Sequence, residues 1–157
     1  DLPRAAWTSA GPSSYELLYR SGAGLTPRPL RRIASGGELS RVMLASKVVL
    51  GNADGVDTLV FDEVDAGVGG STARALAGVL ADLASTHQVI VVTHLAQVAV
   101  MADKHYVVSK EPGDVPQTHL DEVTGEARTA EIARMLSGDQ SEASLAHAKQ
   151  MLEEARG

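Results

Sequence analysis

Two short runs, Thr58-Leu59-Val60-Phe61 and Val89-Ile90-Val91-Val92, stand out because the rest of the apolar positions fall at helical spacing. Continuous apolar runs of this length predict strands buried on both faces, and Tyr106-Val107-Val108 predicts a third strand. Leu39, Val42, Met43, Val49 and Leu50 predict a helix from Glu38 to Leu50, which Gly51-Asn52 stops. Leu76, Val79, Leu80 and Leu83 form the stripe of a second helix, with Ser71 as its cap. Thr93-His94 then leads into a helical stretch over Leu95–Met101. Glu111-Pro112-Gly113-Asp114 reads as a turn, with 115–120 returning antiparallel and 121–128 a polar loop. Two closing helices follow, Thr129–Leu136 and Ser141–Ala155, separated by Ser137-Gly138-Asp139. Proline and glycine punctuate residues 1–30, where only Tyr15–Tyr19 resembles a short strand. Strands alternating with helices predict an α/β fold, a mostly parallel sheet flanked by helices.

Composition narrows the class. A chain of 157 residues and 16.4 kDa holds one domain, and 44% hydrophobic with 22% charged residues is a globular balance. There is no cysteine, which excludes a disulfide scaffold, a zinc–thiolate site and a cysteine nucleophile. No apolar run reaches the roughly 18 residues of a spanning helix, and no signal-peptide pattern opens the chain. A cytoplasmic protein without membrane contact is the expectation. Five aromatic residues, Trp7, Tyr15, Tyr19, Phe61 and Tyr106, are too few for a base-stacking platform. Residues 1–50 carry a net +4 and residues 51–157 a net −10, within an overall −6. Such an acidic chain is a poor stand-alone nucleic-acid binder, although Arg28, Arg31, Arg32 and Arg41 form a basic segment able to meet phosphate locally.

Candidate chemistry gathers where α/β sheets place ligands, outside the carboxyl ends of the strands. Asp62 and Glu63 directly follow the first apolar strand. Adjacent carboxylates at such a rim suit a cation and a proton transfer: Asp62 for Mg²⁺, Glu63 to take a proton from attacking water. A pair of solvated acids capping the next helix is the plainer alternative. His94 follows the second strand and could hydrogen-bond a phosphate oxygen, or serve a purely structural purpose. Ser35-Gly36-Gly37-Glu38 opens the first long helix, where bare amides and a hydroxyl suit an anion, or form an ordinary N-cap. Their order along the chain is more specific than any one of them.

That order resembles the ABC-type ATPases. Ala34–Glu38 is similar to their signature motif, with Ala34 in place of the usual leucine. Thr58–Glu63 is similar to the Walker B strand, Val64-Asp65-Ala66-Gly67 to the D-loop, and His94 to the switch histidine, with Ala96 where a proline is frequent. The longer strings IASGGELSRVMLA, LVFDEVDAGVGG, VTHLAQVA and HYVVSK resemble the RecN family, bacterial DNA-repair ATPases of the SMC-like group. The resemblance covers 29–157, and residues 1–28 match poorly. It implies ATP and Mg²⁺ as cofactors, with Asp62 serving the metal, Glu63 as general base and His94 on the γ-phosphate. It further implies that Ser35, Gly36, Gly37 and Glu38 meet the ATP of a second head, with Asp65 at the seam.

A Walker A loop is missing. None of the fifteen glycines is followed by lysine, so the chain lacks the cradle that phosphoryl transfer in this class requires. The expectation is the C-terminal half of a split ATPase head, acting in DNA double-strand break repair and recombination and inactive alone. Its implied partners are an N-terminal Walker A half, a second head in an ATP-dependent homodimer, and DNA through the full-length protein. The alternatives are a head lobe of another SMC-like ATPase, a non-catalytic dimerisation module, and a DNA-binding domain built on Arg28–Arg41.

Overall fold

A computed structural model describes residues 7, 9, 11–33, 35–111 and 117–155. Ala34 and the turn expected at 112–114 lie outside the described residues.

The leading segment forms a minimal antiparallel pair, β1 (Leu18–Tyr19) and β2 (Arg28–Pro29), followed by a 3₁₀ turn over Leu30–Arg32. The strand expected over Tyr15–Tyr19 is only two residues long, and its partner passes into the 3₁₀ turn directly after Pro29. Helix α1 (Gly36–Leu50) starts two residues before the expected Glu38. The Ser35 hydroxyl caps it, accepting from the Glu38 amide at 3.3 Å.

Strand β3 (Thr58–Phe61), helix α2 (Gly70–Ala84) and strand β4 (Gln88–Val91) form a βαβ unit. β3 and β4 pair in parallel from Thr58↔Gln88 to Phe61↔Val91. The cap of α2 is Gly69 rather than Ser71, which lies inside the helix. Leu59 and Phe61 bury against Leu44 of α1, Ala77, Leu80 and Leu83 of α2, and Val64 and Val98. Burial on both faces is not what this chain achieves. Val60 is 65% exposed, Ile90 46% and Val92 58%. Among the described residues the helices pack on the Leu59–Phe61 face, and nothing covers the other.

After β4 come the single turn α3 (Ala96–Ala99), a hairpin of β5 (His105–Glu111) and β6 (Gln117–Val123), and helices α4 (Gly125–Ser137) and α5 (Glu142–Glu154). The hairpin is antiparallel, from His105↔Val123 to Glu111↔Gln117. The polar loop expected at 121–128 is therefore the end of β6 and the first turn of α4. Ladder bonds come from the backbone, so a strand solvated on both sides shows no apolar alternation. A second core joins Ala96, Ala99 and Val100 to Ile132 and Ala133 of α4 and Ala148 and Leu152 of α5. The Arg128 guanidinium closes this junction, donating to the carbonyls of Ala99, Val100 and Ala102 at the end of α3. The class is α/β, with its parallel pairing in β3–β4 and antiparallel pairs before and after it.

Candidate functional site at the β3–β4 rim

The carboxyl ends of β3 and β4 and the first turns of α1 meet at one rim. Asp62 and Glu63 leave β3 with exposed side chains. Glu63 adopts φ +55°, and it is the one non-glycine with positive φ among the described residues. A glutamate in the left-handed region is strained by roughly 1 kcal/mol or more, and such strain clusters at functional sites.

Helix α1 holds this segment from the side. Ser40 Oγ donates to the Asp62 carbonyl at 2.5 Å, and Arg41 Nη1 donates to the carbonyls of Val64 at 3.3 Å and Ala66 at 2.9 Å. The Ala66 amide donates back to the Glu63 carbonyl at 3.0 Å, closing a turn over 63–66. Glycines at the start of α1 make this approach possible. A methyl group on Gly37 would lie 2.7 Å from Ala66 Cβ and 2.8 Å from the Glu63 carbonyl oxygen. On Gly36 it would run into the Glu63 carboxylate, which therefore lies over the first turn of the helix. The expected anion-binding glycines and the expected base are immediate neighbours.

Asp65 is 2% exposed, and its carboxylate faces the other strand's loop. Oδ2 accepts from Thr93 Oγ1 at 2.5 Å and from the His94 amide at 3.1 Å, and lies 3.2 Å from His94 Nδ1. Thr93 Oγ1 also accepts from the Leu95 amide at 3.0 Å. A buried carboxylate needs donors, and here the β4 loop supplies them. The His94 side chain is otherwise open, at 70% exposure.

The rim thus gathers Asp62, Glu63, Asp65 and His94 with Ser35, Gly36, Gly37 and Glu38. Three contributors had no expected role at the rim: Ser40, Thr93, and Arg41, which the sequence offered only as part of a basic segment. Their signal was position alone, Ser40 and Arg41 one turn beyond the glycines and Thr93 directly before His94. Two arginines of the basic segment have partners within the chain. Arg41 is committed to the 64–66 carbonyls and Arg31 pairs with Glu16 at 2.6 Å.

Among the described residues no three His, Cys, Asp or Glu side chains converge on a cation position. The donor set at the rim is the exposed carboxylate of Asp62, with Glu63 beside it. That fits Mg²⁺, which keeps most of its waters and takes one or two carboxylates together with substrate phosphates.

No protein-family model matches the chain. It is similar to three DNA repair proteins called RecN. The protein of Treponema pallidum is 53% identical over 139 residues, 87% of this chain and 24% of that protein. That of Deinococcus radiodurans is 52% identical over 90% of this chain and 25% of its own length. That of Streptomyces coelicolor is 48% identical over 96% and 27%. The chain spans about a quarter of the length of these relatives. A solved structure from work on ATP-driven dimerization and DNA-stimulated activation of SMC ATPases aligns with 86% of this chain and 69% of its own, at 21% identity and TM-score 0.47.

Proposed function

The chain corresponds to the C-terminal part of RecN-family DNA repair proteins, and from that premise we propose that it is the signature and Walker B lobe of an SMC-like ATPase head. Residues 29–157 make up this lobe. It works in the cytoplasm on ATP, in the repair of DNA double-strand breaks by recombination, and it does not turn over without the Walker A half.

The observation that carries the reading is the joining of three motifs at one rim: the start of α1, the Asp62–Glu63 turn and the His94 loop, tied together through Arg41 and Asp65. Each residue then has one task. Asp62 holds Mg²⁺, which when bound neutralises charge on the phosphates. Glu63 accepts the proton of the attacking water, and its left-handed backbone sets the direction in which the side chain leaves the chain. His94 hydrogen-bonds the γ-phosphate. Ser35, Gly36, Gly37 and the amides of the first turn of α1 receive the γ-phosphate of ATP held by a second head, where the helix dipole favours an anion. Glu63 must swing off Gly36 for that phosphate to enter.

The uncovered face of β3–β4 supports the same reading. Val60, Ile90 and Val92, with Leu39 and Met43 of α1 alongside, are an apolar surface of the kind another layer covers. We assign it to the Walker A half of the head.

The deciding measurement is ATP hydrolysis by this chain alone, by this chain mixed with the Walker A half, and by the full-length protein. Hydrolysis restored only with the Walker A half, and abolished by Glu63→Gln while nucleotide-bound dimers accumulate, bears the proposal out. Robust Glu63-dependent turnover by the chain alone, or Glu63→Gln without effect in the full-length protein, refutes it.

A further inference from the structure

We propose that Asp65 is a positioning residue that sets the tautomer and ring orientation of His94. The proposal rests on the reading of His94 given above. The residue had been expected at the seam between heads, yet its carboxylate is buried within the chain and turned toward the β4 loop. Two hydrogen-bond donors converge on the single oxygen Oδ2, Thr93 Oγ1 and the His94 amide, and His94 Nδ1 lies 3.2 Å from the same oxygen. The amide bond fixes the backbone of His94, and the contact to Nδ1 fixes its ring.

The chemistry follows from the two nitrogens of imidazole. A carboxylate opposite Nδ1 requires the proton to be on Nδ1, which leaves Nε2 on the far edge of the ring, directed away from Asp65. In the neutral ring Nε2 is then an acceptor, suited to a water or hydroxyl. With a second proton it donates to a phosphate oxygen while Nδ1–H stays on Asp65. A carboxylate behind a functional histidine does the same in metal sites and in catalytic triads. Asp65 is also only two residues from Glu63, in the turn that Arg41 clamps. The base and the histidine are therefore carried by loops that share one buried carboxylate.

Long-range ¹H–¹⁵N correlation spectra of the His94 ring in this chain test the tautomer without any nucleotide. The wild-type ring should carry its proton on Nδ1. Asp65→Ala should shift the ring to the Nε2–H form. Asp65→Asn should keep Nδ1–H, since one amide oxygen can take the place of Oδ2, accept from Thr93 and the His94 amide, and still face Nδ1. In the full-length protein Asp65→Ala should lower kcat for ATP on the order of 10- to 100-fold with KM little changed, and Asp65→Asn should recover most of it. A wild-type ring with its proton on Nε2, or the same tautomer in folded Asp65→Ala as in wild type, overturns the proposal. So does an unchanged kcat in Asp65→Ala. Absence of ATP hydrolysis by the wild-type full-length protein would instead refute the functional reading and leave the tautomer result standing.

Discussion

Arg41, in the second turn of α1, donates from one guanidinium nitrogen to the carbonyl of Ala66 at 2.9 Å, at the end of the turn that starts with Glu63. The same nitrogen reaches Val64 at 3.3 Å, so a cation holds two main-chain acceptors that would otherwise face each other unpaired. Arg41→Met keeps the stem and removes the donors. It should destabilise the chain by about 1–3 kcal/mol, the range for buried acceptors left without a partner. Chemical denaturation of wild type and variant measures it, and faster proteolytic cutting within 62–68 would locate the loosened turn.

Gly36→Ala and Gly37→Ala should separate stability from site geometry. At Gly37 a methyl group meets the Ala66 side chain and the Glu63 carbonyl, and neither can move without shifting the turn. Overpacking of that kind costs about 1–3 kcal/mol, so Gly37→Ala should lower the denaturation midpoint clearly. At Gly36 the obstacle is the far end of the Glu63 side chain, which rotates away freely. Gly36→Ala should leave the midpoint nearly unchanged and displace the carboxylate. Equal destabilisation by the two variants would contradict this.

The corner between α4 and α5 should be acid-sensitive through Asp139. Hydrogen bonds from the Ser144 hydroxyl and the Ser141 amide hold its carboxyl down at about 2. A depressed carboxylate stabilises the fold above its unfolded value of about 3.9, and that contribution is lost as pH falls through the folded value. Asp139→Asn should therefore lower the melting temperature at neutral pH, and the difference from wild type should shrink steadily between about pH 4 and pH 2. A difference independent of pH would show that the hydrogen bonds, not the charge, matter.

His105 works in the opposite direction. Burial, and then the nearby Arg128 guanidinium, push its pKa below the ordinary 6.5, and Nδ1 is buried without a hydrogen-bond partner. The unfolded chain takes up this proton first, so stability is lost as pH falls below about 6.5 and stops falling below the folded pKa. His105→Leu should abolish that part of the pH dependence and remove an unsatisfied nitrogen. Melting curves for both chains between pH 7.5 and pH 5 should keep a constant separation above about 6.5 and change it progressively below, most at the acid end.

The elements most legible in the sequence were those whose side chains alone specify burial. Thr58–Phe61 is a strand with the very bounds its apolar run suggests, and the Ser-Gly-Gly start of α1 carries its own cap. The antiparallel return over 115–120 was legible, but the end of β6 was hidden because Asp121 and Glu122 are polar and solvated, while the pairing that makes them a strand comes from β5. The second face of β3 was misread for a different reason. Val60, Ile90 and Val92 are coded for burial, and no described residue of this chain supplies the cover. At the site, the acids and His94 were visible as residues that do not belong beside an apolar strand. Arg41 and Thr93 were not, because their roles consist of hydrogen bonds to partners 25 and 28 positions away.

The open side of the β3–β4 pair also sets conditions for handling this polypeptide. A two-stranded parallel ribbon with a bare valine–isoleucine surface and, among the described residues, no third strand at its edges offers both an apolar patch and ladder groups to any similar chain. Produced by itself, it competes with its own copies for the contact that another layer should make. Yield in soluble form should therefore fall steeply with concentration, and co-expression with the complementary layer, rather than a change of buffer, is the remedy that addresses the cause.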